Sequence, residues 1–155
     1  DSMQHFMKNP QEYVATGNDT IDSLLNYKIQ KAKDVLNLVE TKISIPEKLN
    51  LHSFDLNVVL GNLLDNAIEA ALKAVNKRIS VDIYSDEQAM VIKISNTTEE
   101  NVLKNNPEMN TTKKDNSYHG YGIRNVSELV KKNNGTIEYI QLGVDIVQCR
   151  VLLML

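Results

Sequence analysis

The chain has 155 residues, of which 42% are hydrophobic and 24% are charged, and its formal net charge is -3. These values are typical of one soluble globular domain with a single core. The weakly acidic charge balance argues against a protein that binds nucleic acid or a membrane surface. The sequence contains no signal peptide and no apolar run long enough to span a membrane.

The first predicted helix follows residues 1–17, which show no clear hydrophobic period. The Asn-Asp-Thr sequence at 18–20 contains candidate N-cap residues. Apolar residues then recur at helical spacing up to Val39. Residues 42–45 alternate like a short strand, which ends at Pro46.

The second predicted helix begins near Phe54 or Asp55 and carries an apolar stripe that continues to Val75. This stripe is broad and centres near Leu60 and Ala67. A stripe of this width predicts a helix that packs one side against the core.

Four strand-like runs follow the second helix. Residues 79–84 and 90–95 alternate and are joined by a short polar link, which predicts an antiparallel hairpin. The runs 136–141 and 144–154 lie near the C-terminus and turn at 142–143. The single cysteine, Cys149, lies in the last run; we interpret it as a core residue, because a lone cysteine cannot form an internal disulfide.

Residues 97–119 are polar and have almost no apolar anchor. Structureless stretches longer than about 15 residues are uncommon in compact domains and are often functional lids. A third helix is predicted to begin near Gly122, and Gly135 is expected to end it in the left-handed conformation. About three helices and five strands, mostly antiparallel, predict an α+β two-layer sandwich.

The polar side of the second helix is the first candidate site. On a wheel of about 100° per residue, Asn62, Asn66, Glu69 and Lys73 fall together, roughly opposite the apolar stripe. Asparagine is a poor helix former, and a solvated face usually carries Glu, Lys or Gln. Amide and carboxylate oxygens, including those of Asp65, suit Mg²⁺. The pattern leaves two interpretations open, a solvated face and a magnesium–phosphate site.

The second candidate site is the glycine-containing stretch Ser117–Arg124. Gly120 and Gly122 permit unusual backbone geometry and precede the third helix, whose N-terminus suits phosphate. The stretch lacks the dinucleotide fingerprint, because Asn125 occupies the third glycine position. Possible cations lie in or near it: Lys113, Lys114, His119 and Arg124.

These residues resemble a known superfamily. Asn62-Leu-Leu-Asp-Asn66-Ala resembles the N box of the gyrase/chaperone/histidine kinase/mismatch-repair ATPases. Thr111-Thr-Lys-Lys and His119-Gly-Tyr-Gly-Ile-Arg-Asn125 resemble the lid and the C-terminal glycine box, and Asn134–Ile137 is similar to the strand that follows. Thr16–Lys28 resembles the segment before the ATPase domain in peptide-pheromone receptor kinases of the accessory gene regulator type. The resemblance implies a mixed, mostly antiparallel sheet covered by helices.

The resemblance also implies a Mg-ATP site. Asn66 takes the position of the asparagine that coordinates Mg²⁺. Asn62 takes the first N-box position, which holds a glutamate general base in the hydrolases and usually asparagine in the kinases. Without a strong base there, the phosphoryl group passes to a side chain rather than to water. The lid and glycine box supply the further ATP contacts that the resemblance implies: Lys113, Lys114, His119, Gly120, Tyr121, Gly122 and Arg124.

Two positions depart from the superfamily pattern. The first glycine box, usually Asp-x-Gly-x-Gly, reads Ser95-Asn-Thr-Thr-Glu99 here. Asn96 is the best match for the aspartate that binds the adenine amino group, and its carbonyl oxygen can accept that hydrogen bond without the charge. Glu69 stands where a lysine often follows the N box. We therefore expect weak ATP affinity.

The implied function is that of a sensor histidine kinase, with an ATP-binding catalytic domain at 41–155. Residues 1–40 are interpreted as a helical remnant of, or linker from, the dimerisation region. The acceptor histidine is expected on a helix outside the chain. The parent protein is expected to be a membrane-bound homodimer with this domain in the cytoplasm, and to act on a response regulator in quorum sensing. Two alternatives stay open, a non-catalytic regulatory module and an anti-sigma-type serine kinase.

Overall fold

The computed structural model describes residues 13–101, 103 and 126–155. Its helices are α1 (Asp19–Val35) and α2 (Ser53–Leu72), and residues 126–132 are also helical. The strands are β1 (Leu38–Ile43), β2 (Arg78–Ser85), β3 (Ala89–Thr97), β4 (Thr136–Gly143) and β5 (Ile146–Met154). They form one sheet in the order β1-β2-β3-β5-β4, in which β1 and β2 run parallel and the other neighbours antiparallel. The predicted α+β sandwich is confirmed.

Helix α1 begins where its N-cap was predicted and ends earlier than its apolar spacing suggests. Asn18 Oδ1 accepts a hydrogen bond from the backbone N–H of Ile21 at 3.2 Å. The helix ends at Val35, and the backbone N–H of Asn37 donates to Lys77 O at 2.8 Å. This contact aligns the chain for parallel pairing with β2, so Val39 lies in β1 rather than in the helix. The strand predicted at residues 42–45 is therefore wrong in position, because pairing with β2 begins at residue 38.

Helix α2 packs its apolar stripe against α1 and against β2 and β3. Its buried apolar residues are Leu56, Val59, Leu60, Leu63, Leu64, Ala67, Ile68 and Ala71. The predicted continuation to Val75 is wrong, since the helix ends at Leu72 and Val75 is fully exposed. The stripe thus ends where the helix leaves the core.

The β2–β3 hairpin is confirmed. Ile79–Ser85 pairs with Met90–Asn96 in antiparallel register. Asp86 shapes the connection, because its Oδ1 accepts hydrogen bonds from the backbone N–H groups of Gln88 at 2.7 Å and Ala89 at 2.9 Å. A short side chain that bonds its own backbone in this way is a common turn device.

The alternation of β2, β3 and β5 places their apolar residues on the face of the sheet that the helices cover. The buried set is Ile79, Val81, Ile83, Met90, Ile92, Ile94, Val147, Cys149, Val151 and Leu153. Cys149 is confirmed as a core residue. On the other face, Asp82, Lys93, Arg150 and Glu138 lie side by side in register across four strands. The outer pairs, Asp82 with Lys93 and Glu138 with Arg150, join opposite charges and are favourable, whereas Lys93 faces Arg150 with like charge.

Two predicted turns differ from the structure. The turn between β4 and β5 lies at residues 144–145, because β4 continues through Gly143. Asn134, rather than Gly135, adopts the left-handed conformation after the helical segment, with φ of 55°. Gly135 donates its N–H to Val130 O at 2.8 Å, and a Cβ added to it would lie 2.1 Å from Leu152 O. The glycine therefore serves a close approach to β5.

Helix α1 shares the core of the sheet and α2. Its apolar residues Ile21, Leu25, Ile29 and Ala32 are at most 3% exposed and belong to the same cluster. The division of the chain at residue 40 stays a prediction. Within the part of the chain that the structure describes, no helix has both the length and the apolar character needed to cross a bilayer.

Candidate functional site

A groove of about 280 Å³ lies between α1 and α2. Its polar lining comes from Lys31 of α1 and from Asn62, Asp65, Asn66 and Glu69 of α2. The predicted clustering of the two asparagines with Glu69 is therefore present in the fold. The groove approaches the size of small-molecule pockets, which begin at roughly 300 Å³. It has room for a phosphate group with a hydrated cation.

The two asparagines lie at the border of the core rather than on a fully solvated face. Both are half-buried. The Nδ2 atom of Asn66 is buried, and no described residue accepts a hydrogen bond from it. A buried polar group without a partner costs about 1–3 kcal/mol.

Asp65 takes part in an ion pair across the two helices. Lys28 Nζ of α1 lies 2.7 Å from Asp65 Oδ1, with the two side chains 15% and 39% exposed. The pair engages this carboxylate and offsets its charge beside Asn62 and Asn66. The sequence analysis did not assign this role to Lys28, because the two residues are 37 positions apart and on different helices.

Asn96 lies at the end of β3, on the helix-covered face of the sheet. It alternates with the buried residues Ile92 and Ile94 and pairs with Ile79 and Val147 on the neighbouring strands. Its Nδ2 donates to Thr97 O at 3.0 Å. The side-chain oxygen is the acceptor of the amide, and this is the atom that the proposed adenine contact requires.

A second carboxylate of α2 is buried and was not identified from the sequence. Asp55 is 7% exposed, and its Oδ2 lies 3.2 Å from Lys132 Nζ and 3.4 Å from Asn133 Nδ2. Burial alone raises the pKa of Asp55, but hydrogen bonds from Lys132 and Asn133, together with the charges of Lys132 and His52, outweigh it. The pKa is lowered overall. Asp55 thus stays ionised and connects the start of α2 to the end of the segment 126–132.

The other predicted ATP contacts lie outside the described residues: Lys113, Lys114, His119, Gly120, Tyr121, Gly122 and Arg124. Most of the predicted lid also lies there. Their assignments stay predictions.

The described residues were compared with the requirements of a magnesium nucleotide. No cluster of three or more His, Cys, Asp or Glu residues suited to a metal occurs among them. Mg²⁺ commonly takes one or two protein oxygens, completed by water and substrate phosphates. Asn66 fits this pattern, because its carbonyl oxygen would serve the cation while its Nδ2, which has no hydrogen-bond partner among the described residues, would donate to a phosphate oxygen. The residues present fit the group.

A family model described as a GHKL domain matches residues 51–152. The chain belongs to the GHKL family. The match contains α2 with both asparagines, so the resemblance carried by the N box is confirmed at the level of this family. No curated protein matches the sequence.

The GHKL domain is also similar in fold to solved histidine kinase structures. It matches a mycobacterial sensor histidine kinase, MprB, with a TM-score of 0.63 and 17% identity over 88% of this chain and 92% of that one. It matches Acinetobacter baumannii histidine kinase AdeS with a TM-score of 0.61 and 16% identity, over 88% of this chain and 63% of that one. It matches the nucleotide-free catalytic domain of histidine kinase ThkA with a TM-score of 0.69 and 13% identity, over 90% of this chain and 94% of that one. At these identities the matches establish the fold.

Proposed function

We propose that this GHKL domain binds Mg-ATP and transfers the γ-phosphoryl group to a histidine on a dimerisation helix outside the chain. The observation that carries the proposal is the buried Nδ2 of Asn66, which has no hydrogen-bond partner among the described residues and belongs to the same groove lining as Asn62. A phosphate oxygen is the acceptor that this amide lacks. GHKL membership and the fold shared with histidine kinases support the choice of ligand.

The chain contributes binding and orientation to the transfer. When bound, Mg²⁺ neutralises part of the phosphate charge, and Asn66 is the proposed protein ligand. Asn62 has an amide where a hydrolase has a base, so water near it is not activated. The imidazole of the acceptor histidine acts as the nucleophile. Catalysis by the domain therefore consists mainly of positioning and charge neutralisation.

The wider role follows from the resemblance of Thr16–Lys28 to the accessory gene regulator-type receptor kinases. On this basis the parent is a membrane-bound homodimeric receptor that holds the domain in the cytoplasm. It signals to a response regulator in quorum sensing. The loss of the first glycine box, with Asn96 in place of aspartate, supports weak nucleotide binding.

Calorimetric titration with Mg-ATP tests the site through Asn66→Ala. We expect the affinity to fall by about tenfold to a hundredfold, since hydrogen bonds to charged groups contribute about 1.5–3 kcal/mol. Asn57→Ala is the matched control, because Asn57 lies on the same helix, donates its Nδ2 to Thr20 O and does not line the groove. Equal affinities for the Asn66 variant and the unmodified domain would refute the assignment. Acid-labile phosphate on the parent protein distinguishes phosphohistidine from phosphoserine.

A further inference from the structure

The groove between α1 and α2 has charged side chains in its lining that do not favour an anion. Among the described residues of this lining, the carboxylates of Asp65 and Glu69 outnumber the ammonium group of Lys31. The phosphates of a nucleotide carry several negative charges, and a bound Mg²⁺ neutralises only part of them. Since like charges repel at short range, a carboxylate beside the phosphates opposes binding unless a cation compensates it.

Helix α1 brings a further lysine to Asp65 through the register of the two helices. Asn57 of α2 donates its Nδ2 to Thr20 O of α1 at 3.5 Å. About two turns further along both helices, Lys28 Nζ lies 2.7 Å from Asp65 Oδ1. Both contacts join residues 37 positions apart, so the helices run side by side in the same direction. The position of Lys28 is therefore set by the packing of α1 on α2.

Lys28 is placed to act through Asp65 rather than on the ligand itself. Its side chain is 15% exposed, against 39% for Asp65, and it is not among the residues that line the groove. Its Nζ also lies 5.8 Å from the centre of the Tyr27 ring, a distance typical of a cation–π contact. Asp65 lines the same groove as Asn66, so its charge lies close to the amide proposed to meet a phosphate.

We infer that Lys28 raises the nucleotide affinity of the groove through Asp65, by compensating the negative charge that this carboxylate brings to the lining. This inference rests on the proposed function. Without Lys28, the carboxylate repels the phosphates. Repulsion between charges a few ångströms apart near a protein surface corresponds to about a threefold to tenfold loss of affinity. Added salt screens such a repulsion, so the loss shrinks as the ionic strength rises.

The test is calorimetric titration with Mg-ATP of the unmodified domain and of variants at each end of the ion pair. Lys28→Met removes the cation, and we expect a dissociation constant higher by about threefold to tenfold. The pair is partly exposed, so its loss costs little stability and this variant is expected to fold. Asp65→Asn breaks the same pair but removes the negative charge, so it should bind at least as tightly as the unmodified domain. The double variant should return the dissociation constant to within about twofold of the unmodified value.

Lys93→Met is the matched control for the loss of one positive charge. Lys93 Nζ lies 5.5 Å from the centre of the Tyr84 ring, so Lys93 and Lys28 make similar aromatic contacts. Lys93 lies on the face of the sheet opposite the helices and does not line the groove. This variant is expected to bind like the unmodified domain. Lys28→Arg keeps a cation beside Asp65 and is also expected to bind like the unmodified domain.

A purely structural role of the ion pair predicts a different pattern. If Lys28→Met and Asp65→Asn weaken binding to the same extent, the pair acts by holding the helices together, and charge compensation is overturned. Charge compensation is also overturned if Lys28→Met binds within about twofold of the unmodified domain, or if Lys93→Met weakens binding as much as Lys28→Met. In each of these cases nucleotide binding itself stands. If the unmodified domain does not bind Mg-ATP, the proposed function fails, and the role of Lys28 fails with it.

Discussion

Replacement of Gly135 by alanine is expected to destabilise the domain through a steric clash. The added Cβ would lie 2.1 Å from Leu152 O and 3.2 Å from Leu152 C, whereas such contacts essentially never fall below 3.0 Å. The two backbones must therefore separate by roughly 0.9 Å. Leu152 cannot move freely, because β5 pairs with β3 on one side and β4 on the other.

Overpacking of this kind costs about 2–3 kcal/mol. For a domain of this size, that loss corresponds to a melting temperature lower by about 4–12 °C. Urea unfolding followed by circular dichroism gives the free energy of unfolding, and calorimetry gives the melting temperature. The midpoint should fall with an unchanged slope, because the unfolded chain exposes the same surface.

Gly143→Ala is the control, since a Cβ at Gly143 meets nothing within 4 Å. The Asn134→Gly variant tests whether the requirement for glycine at residue 135 comes from the steric contact with Leu152 or from a left-handed backbone conformation. Asn134 is the residue with positive φ, so glycine there relieves strain and leaves stability unchanged or slightly higher. A Gly135→Ala variant within about 0.5 kcal/mol of the unmodified domain would show that the close approach to Leu152 has been misjudged.

Three further predictions concern ionisable groups. The pKa of Asp55 is lower in the folded protein than in the unfolded chain, where it is near 3.9. The stability that Asp55 contributes is therefore present above the unfolded value and is lost as the pH falls through the folded value. In the Asp55→Asn variant, the free energy of unfolding measured at acid pH should depend less on pH. Lys28→Met should cost below about 1 kcal/mol in urea unfolding, since its partner Asp65 is 39% exposed and solvent screens the pair. Burial raises the pKa of Cys149 to about 12, so a thiol reagent at neutral pH should react only as fast as the domain unfolds.

Local sequence patterns predicted an element correctly where all the residues that determine it lie within one short stretch of the chain. The β2–β3 hairpin is such a case, because alternation and the polar link with Asp86 lie within one stretch of chain. The end of α1 was misplaced because the residues that end it bond to Lys77, far along the sequence. Parallel pairing of β1 with β2 across α2 has no local signature either. The roles of Asn134 and Gly135 were exchanged for the same reason, since the contact that requires glycine comes from Leu152.

The candidate site divides in the same way. Helical periodicity placed Asn62, Asn66 and Glu69 together, and they line one groove. Periodicity on one helix cannot show what the neighbouring helix supplies, so the partner of Asp65 was not found. It also placed the asparagines opposite the apolar stripe, whereas α1 beside them leaves both half-buried.

The polar residues of α2 therefore divide by role. Asp55 and Asp65 are ten positions apart on one helix, and each pairs with a lysine from a different neighbour. Asp55 pairs with Lys132 at the end of the segment 126–132, and Asp65 pairs with Lys28 on α1. The carboxylates stabilise the position of the helix, and their charges are offset. The Nδ2 atom of the Asn66 amide has no hydrogen-bond partner among the described residues. The groove between the helices thus contains two uncharged amides and a compensated aspartate, together with the charged side chains of Lys31 and Glu69.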